Sequence, residues 1–204
     1  MKPHPKAGLS AHEALERLKA GNEQFVAGTA EFPTLQKEIL SELAKGQNPY
    51  ATILSCSDSR VPTELIFNVG FGELLVIRVA GNVMSPEVAG SLQYAGSHLG
   101  TPIFVVLGHT KCGAVSAAVD MRLHGTRQLS RIQLLVDSIV PGLPDFDPTQ
   151  SAEAFLAQAI EANVRWTIRQ ILQTPEARER QAQGDAMLVG AIYDIETGRV
   201  RFLE

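Results

Sequence analysis

Two short apolar runs, Ala51-Thr-Ile-Leu-Ser55 and Ile103-Phe-Val-Val-Leu107, constrain this chain more than any other feature. Neither alternates apolar with charged residues, as a strand with one wet face would, so each reads as a strand buried on both sides. Segments with helical spacing separate them. Strands that alternate with helices pack as a mainly parallel sheet with right-handed crossovers, which is the α/β class. Both runs end in chemically capable residues: the first leads into Cys56-Ser-Asp58-Ser-Arg60-Val-Pro62, and the second passes through Gly108 into His109-Thr-Lys-Cys112-Gly113. These hold the only two cysteines of the chain. Open α/β sheets keep their sites at the carboxyl ends of strands, so Cys56, His109 and Cys112 are expected together at one edge.

The other elements follow from local signals. Ser10-Ala-His-Glu13 is a capping box ahead of Leu15, Leu18 and Phe25, which predicts a helix over 11–27. Leu35, Ile39, Leu40 and Leu43 predict a second amphipathic helix within 32–45, after a loose arm at 1–8. Two helices before the first strand have no sheet of their own to cover. Residues 1–46 are therefore expected to form an arm that packs on a partner subunit, leaving 51–204 as the α/β core. Within that core, strands are expected at 51–57, 74–80, 103–107 and 186–193, with a hairpin strand at 199–202, giving a central sheet of four to five strands. Helices are expected at 63–67, 86–99, 113 to about 119, 132–139 and 152–172; Ser85-Pro86-Glu87 supplies the cap of the second of these. Trp166, on the long helix, reads as a packing or interface residue.

At 204 residues and 45% hydrophobic content the chain can bury one core and does not need two, so 1–204 is read as a single domain. A net charge of -4, with 18 scattered basic residues, excludes a nucleic-acid surface. No run of about 18 apolar residues is present, and no apolar stretch of signal-peptide length follows the N-terminal lysines. The expectation is a soluble cytoplasmic protein with no membrane partner, in which two cysteines serve as thiols rather than a disulfide.

Taken singly, each cysteine or histidine has an ordinary packing explanation. Together they do not, because His-x-x-Cys sets two ligand types within one turn and the only other cysteine ends a matching strand. Two cysteines and a histidine suit zinc, and three protein ligands leave a fourth tetrahedral position for water. His124 is read as lying in a polar, loop-like segment past the helix and so as no fourth ligand. Asp58 beside a zinc thiolate would compete for the metal unless held elsewhere, and Arg60 gives it another partner. A phosphatase loop is a poor match, since such loops space Cys and Arg by five residues and here three intervene.

Cys56-Ser-Asp58-Ser-Arg60, followed about fifty residues later by His109-Thr-Lys-Cys112-Gly113, resembles the β-class carbonic anhydrases. The resemblance implies zinc on Cys56, His109 and Cys112, and an Asp58–Arg60 dyad. It also implies interconversion of CO2 and bicarbonate by zinc-bound hydroxide, in an obligate dimer or dimer of dimers with N-terminal helices over the neighbouring subunit. The substrate-pocket positions it implies are Gln47, contributed from the neighbouring subunit, together with Tyr94, Leu75 in place of a phenylalanine, and Gly113. Members with a closed, bicarbonate-inhibited form carry a Trp where Ile53 stands here, although Arg78 matches; this implies the open plant-type form. The family's Arg-Asn-x-Ala-Asn run reads Arg78-Val-Ala-Gly-Asn82, so local packing there is expected to differ. Two thiolates cancel the metal's formal charge, so activity is expected to rise on the alkaline side of neutral. His98, one helical turn from Tyr94, is a candidate proton shuttle or a plain surface residue. Two other functions fit the same ligands: hydrolysis of carbonyl sulfide or carbon disulfide, and a closed zinc-binding interaction module without turnover.

Overall fold

A computed structural model describes residues 8–31 and 37–204. Residues 1–7 of the expected loose arm and the start of the expected second helix, at 32–36, lie outside the described residues. The elements are α1 (Ala11–Ala27), α2 (Lys37–Leu43), β1 (Ala51–Ser55), α3 (Thr63–Ile66), β2 (Leu74–Arg78), α4 (Pro86–Tyr94), β3 (Ile103–His109), α5 (Gly113–His124), α6 (Ser130–Ile139), α7 (Ala152–Leu172), α8 (Pro175–Ala182), β4 (Met187–Tyr193) and β5 (Val200–Phe202). A 3-10 turn, Ala80–Asn82, follows β2, and Ala95–Leu99 continues α4 as a π turn, so the expected helix over 86–99 forms in two parts.

The sheet has five strands in the order β2-β1-β3-β4-β5. The first four are parallel, and β5 returns antiparallel to β4 through the hairpin at 194–199. Alternate residues of the central strands point to opposite faces. Leu54, Val106 and Ile192 join Ile160 and Val164 of α7 on one side, while Ile53, Val105 and Leu107 join Ile66, Phe67 and the first helix on the other. Covering both faces is what turns β1 and β3 into unbroken apolar runs.

The first helix corrects one expectation. Ser10 and Glu13 do form the capping box, but Ala14 and Leu18 of α1 are fully buried against this chain's own sheet. Asn22 fastens α1 further: Nδ2 donates to Ile66 O at 3.2 Å and to Gly198 O at 2.8 Å, and Oδ1 accepts from Val200 N–H. Thus α1 has a sheet face to cover, the one that α3, only four residues long, is too short to cover alone. Leu18→Ala is expected to cost about 2–5 kcal/mol, the usual loss for a fully buried leucine. Urea unfolding checks it; a change under 1 kcal/mol would place α1 outside the core.

Chain order fixes where the site must lie. From β1 the chain steps to β2 on one side, then crosses back to β3 on the other. The segment after β1 runs into α3 on the α1 face, while the segment after β3 runs into α5 on the α7 face. The two loops part company, and a crevice opens between them at the carboxyl edge.

Candidate metal centre

Cys56 is the residue after β1, His109 is the last residue of β3, and Cys112 caps the amino end of α5. All three are buried, at 4%, 0% and 1% exposure, and their ligand atoms lie within 4.8 Å of one another. Tetrahedral zinc with two sulfurs and a nitrogen at ordinary bond lengths needs these atoms about 3.5–3.8 Å apart, so the cluster fits such an ion with little movement.

Local structure prepares each donor. His109 Nδ1 lies 2.9 Å from Thr110 O, which can only accept, so Nδ1 carries the proton and the lone pair is on Nε2. Nε2 is buried with no hydrogen-bond partner. A buried basic nitrogen with no hydrogen-bond partner is a donor suited to a metal cation. Thr110 is itself braced by the β4–β5 hairpin: its N–H donates to Tyr193 O at 2.9 Å and its hydroxyl accepts from Ile195 N–H at 3.0 Å. Lys111 takes a left-handed conformation (φ 58°) that turns the chain back toward α5, and its Nζ pairs with Glu196 of the same hairpin at 2.5 Å.

The Cys112 thiol facing the Cys56 sulfur, with His109 and the N–H of Gly81 at 3.3 Å, lowers the Cys56 thiol from its ordinary value despite burial. The same contact and deeper burial push Cys112 up, although N–H groups of Ala114 and Val115 in the first turn of α5 face its sulfur. A divalent cation held here would take both sulfurs as thiolates.

Asp58 and Arg60 stand at the mouth. Arg60 Nε donates to Asp58 Oδ1 at 2.9 Å, a terminal nitrogen donates to Oδ2 at 2.7 Å, and the Arg60 N–H adds a third bond at 3.0 Å. This two-pronged guanidinium holds the Asp58 carboxyl well below the usual carboxylate range. Asp58 Oδ2 lies 3.9 Å from His109 Nε2, yet both its oxygens are hydrogen-bonded to Arg60, so the candidate ligand set keeps three members. Arg78 was expected only as the match to an arginine of the closed, bicarbonate-inhibited form. It clamps the loop instead, donating to Cys56 O at 3.1 Å and Asp58 O at 2.6 Å from the end of β2, where it registers against Ser55. The odd glycine of Arg78-Val-Ala-Gly-Asn82 is explained by packing: a Cβ on Gly81 would stand 2.8 Å from Ile139 Cδ1.

Gly113 opens α5 beside Cys112, exposed at the mouth. The other expected pocket residues are elsewhere in this chain. Gln47 precedes β1 and is exposed, so it sits at the far end of that strand from Cys56. Leu75 pairs with Thr52, three residues short of the strand end. Tyr94 is 45% exposed and stacks on His98 with ring centroids 5.0 Å apart; the next residue, Ala95, bonds to Thr101 at the start of β3. His124 is the exposed last residue of α5, which runs beyond the expected end near 119, and it takes no part in the cluster. Trp166 packs over Gly142 and donates to Ser138 O, bracing α7 against α6.

Residues 51–200 match the family model described as carbonic anhydrase. Carbonic anhydrase 2 of Mycobacterium tuberculosis is 37% identical over 91% of this chain and 89% of its own length. The carbonic anhydrase of Mycolicibacterium smegmatis is 33% identical over 92% of this chain and 90% of its own. Among solved structures, the β-carbonic anhydrase CcaA superposes with a TM-score of 0.74 at 26% identity, covering 93% of this chain and 95% of that one. With Cys56, His109 and Cys112 gathered at the switch point of a β2-β1-β3-β4-β5 sheet and these relatives along almost its whole length, the chain belongs to the β-class carbonic anhydrases.

Proposed function

We propose that this protein hydrates carbon dioxide reversibly to bicarbonate and a proton at a zinc ion held by Cys56, His109 and Cys112. The observation that carries the reading is the orphaned, fully buried Nε2 of His109 between two buried sulfurs, with Asp58 locked to Arg60 beside it. Zinc bound there supplies the positive charge that lowers the pKa of water from 15.7 toward about 7, less strongly than with three neutral histidines because two thiolates offset it. The chain's own groups do the rest. Asp58, kept ionised and fixed by Arg60, accepts a hydrogen bond from the attacking water and so aims its lone pair at the substrate. Arg78 holds the Cys56 and Asp58 carbonyls, so the ligand and the orienting carboxylate move as one unit. With Asp58 turned to Arg60, the site is of the open, three-ligand kind.

Gln47, Leu75 and Tyr94 reach such a site only from a second copy. Support comes from the β2 edge: although β2 borders the sheet, it is half-buried along most of its length, and Leu65, Phe71 and Tyr94 stand more than 40% exposed. A homodimer, or a dimer of dimers, sets the apolar wall and the Gln47 amide of the partner beside CO2 and the developing bicarbonate. Among the described residues no helix is long and apolar enough to cross a membrane. Two reduced thiols fit a cytoplasmic address.

Stopped-flow CO2 hydration on metal-quantified protein tests the function. Turnover that rises with pH and vanishes with the metal is expected; one zinc per chain with no hydration at any pH would overturn it. Acid should also empty the site, because protons compete for thiolates and imidazole: metal retention is full on the alkaline side and falls as pH is lowered. A chromophoric chelator read across pH checks this, and release that increased toward alkaline pH would contradict it.

A further inference from the structure

The N–H that reaches Cys56 Sγ belongs to Gly81, in a turn whose backbone is left-handed at both Gly81 (φ 71°) and Asn82 (φ 46°). Gly81 takes that region freely, whereas Asn82 does so at a cost and keeps it because its surroundings fix the turn. The holder is α7. Asn163, 1% exposed, donates from Nδ2 to Gly81 O at 2.8 Å across 82 residues of sequence, and one turn along Thr167, fully buried, donates to Asn82 O at 3.2 Å. The orientation of the Asn163 amide is forced, since turning it over would press two carbonyl oxygens together. Its Oδ1 is then left buried with no partner. A buried amide with half its bonding capacity unmet costs stability that an apolar residue would not, so its value lies in what Nδ2 holds.

Resting on the reading of Cys56 as a metal ligand, we propose that Asn163 is a positioning residue for the metal centre. It fixes the Gly81 peptide so that the peptide N–H bonds to the Cys56 thiolate. That bond draws electron density from the sulfur, weakens its donation and leaves the bound ion more electron-poor. Side chains that orient ligands in this way typically change metal affinity or activity 10–100-fold when removed.

The test compares the full-length wild-type protein, Asn163→Ala and Leu18→Ala, each loaded with cobalt(II). In Asn163→Ala the thiolate-to-cobalt charge-transfer band should move to lower energy because the sulfur donates more freely, and cobalt affinity measured against a competing chelator should nonetheless fall 10–100-fold because the sulfur is no longer held in place for the ion. Leu18→Ala, which opens a cavity on the opposite face of the sheet, should lose stability while band and affinity stay as in wild type. An unmoved band with affinity within twofold in Asn163→Ala would overturn the proposal alone. Wild-type protein that binds no cobalt through thiolate would overturn the metal centre and the proposal with it. Should Asn163→Ala fail to fold, the wild-type protein loaded with cadmium-113 answers: scalar coupling between the Gly81 amide proton and cadmium across the sulfur supports the proposal, and its absence overturns it.

Discussion

Cys56→Ser should leave a folded protein that no longer holds its metal and no longer turns over. Serine keeps a proton at neutral pH and offers a neutral oxygen where the site is built for a thiolate. Protein zinc sites bind with apparent free energies of about 10–16 kcal/mol, so losing one of three donors removes on the order of 3–5 kcal/mol, or about 10²–10⁴-fold in affinity. Folding should survive because Cys56 lies just past β1 at the edge of its core cluster, serine is close to it in size, and Ile53, Leu54, Val105, Val106 and Leu107 carry most of the burial on the two faces of the sheet. Metal analysis of the dialysed protein, with a melting curve beside that of chelator-treated wild type, reads both halves. Matching melts with an empty site are expected. Retention of one metal per chain would remove Cys56 from the ligand set.

Arg60→Ala should cut kcat/KM by about a hundredfold while metal stays bound, the size of loss that a misplacement of about 1 Å in a positioned group produces. The loss does not come from protonation. Without the guanidinium, the Asp58 carboxyl rises toward its ordinary value of about 3.9, still far below neutral, so it stays charged but is no longer fixed. The sign of the pH effect follows. A carboxylate whose folded-state pKa is depressed adds stability above its unfolded pKa, and that share is lost as pH falls through the depressed value. Arg60→Ala removes this share, so the acid side of its stability profile should be flatter than that of wild type. Turnover within twofold of wild type, or an unchanged acid profile, would take the dyad out of the account.

The clustering of Cys56, His109 and Cys112 was legible because its geometry is nearly one-dimensional. A buried parallel strand has a single carboxyl end, so naming the strands placed Cys56 and His109, and the short His-x-x-Cys spacing placed Cys112. Asp58 and Arg60 were equally readable, being two residues apart on the same loop. Groups that reach the site from other elements were not. The clamp on the Cys56 and Asp58 carbonyls comes from Arg78, 20 and 22 residues away, and only the β1–β2 register brings it there. The Gly81 amide and Asn163 carry no local signal, since an asparagine on a helix face reads as polar surface until the turn it holds is seen. That α1 has a sheet face of its own to cover was missed for a related reason: amphipathic spacing shows that a helix buries a face without showing which face it covers. Helix α8 was passed over although Thr174-Pro175-Glu176 is an ordinary start signal, because no residue of α8 is buried and so no apolar stripe marked it.

Zinc K-edge absorption spectroscopy on the purified protein tests the central claim most directly. Two sulfurs at about 2.3 Å and two nitrogen or oxygen scatterers at about 2.0–2.1 Å are expected, one from His109 and one from solvent in the open position. Fewer than two sulfurs, or two sulfurs with a single light scatterer and no fourth neighbour, would contradict it.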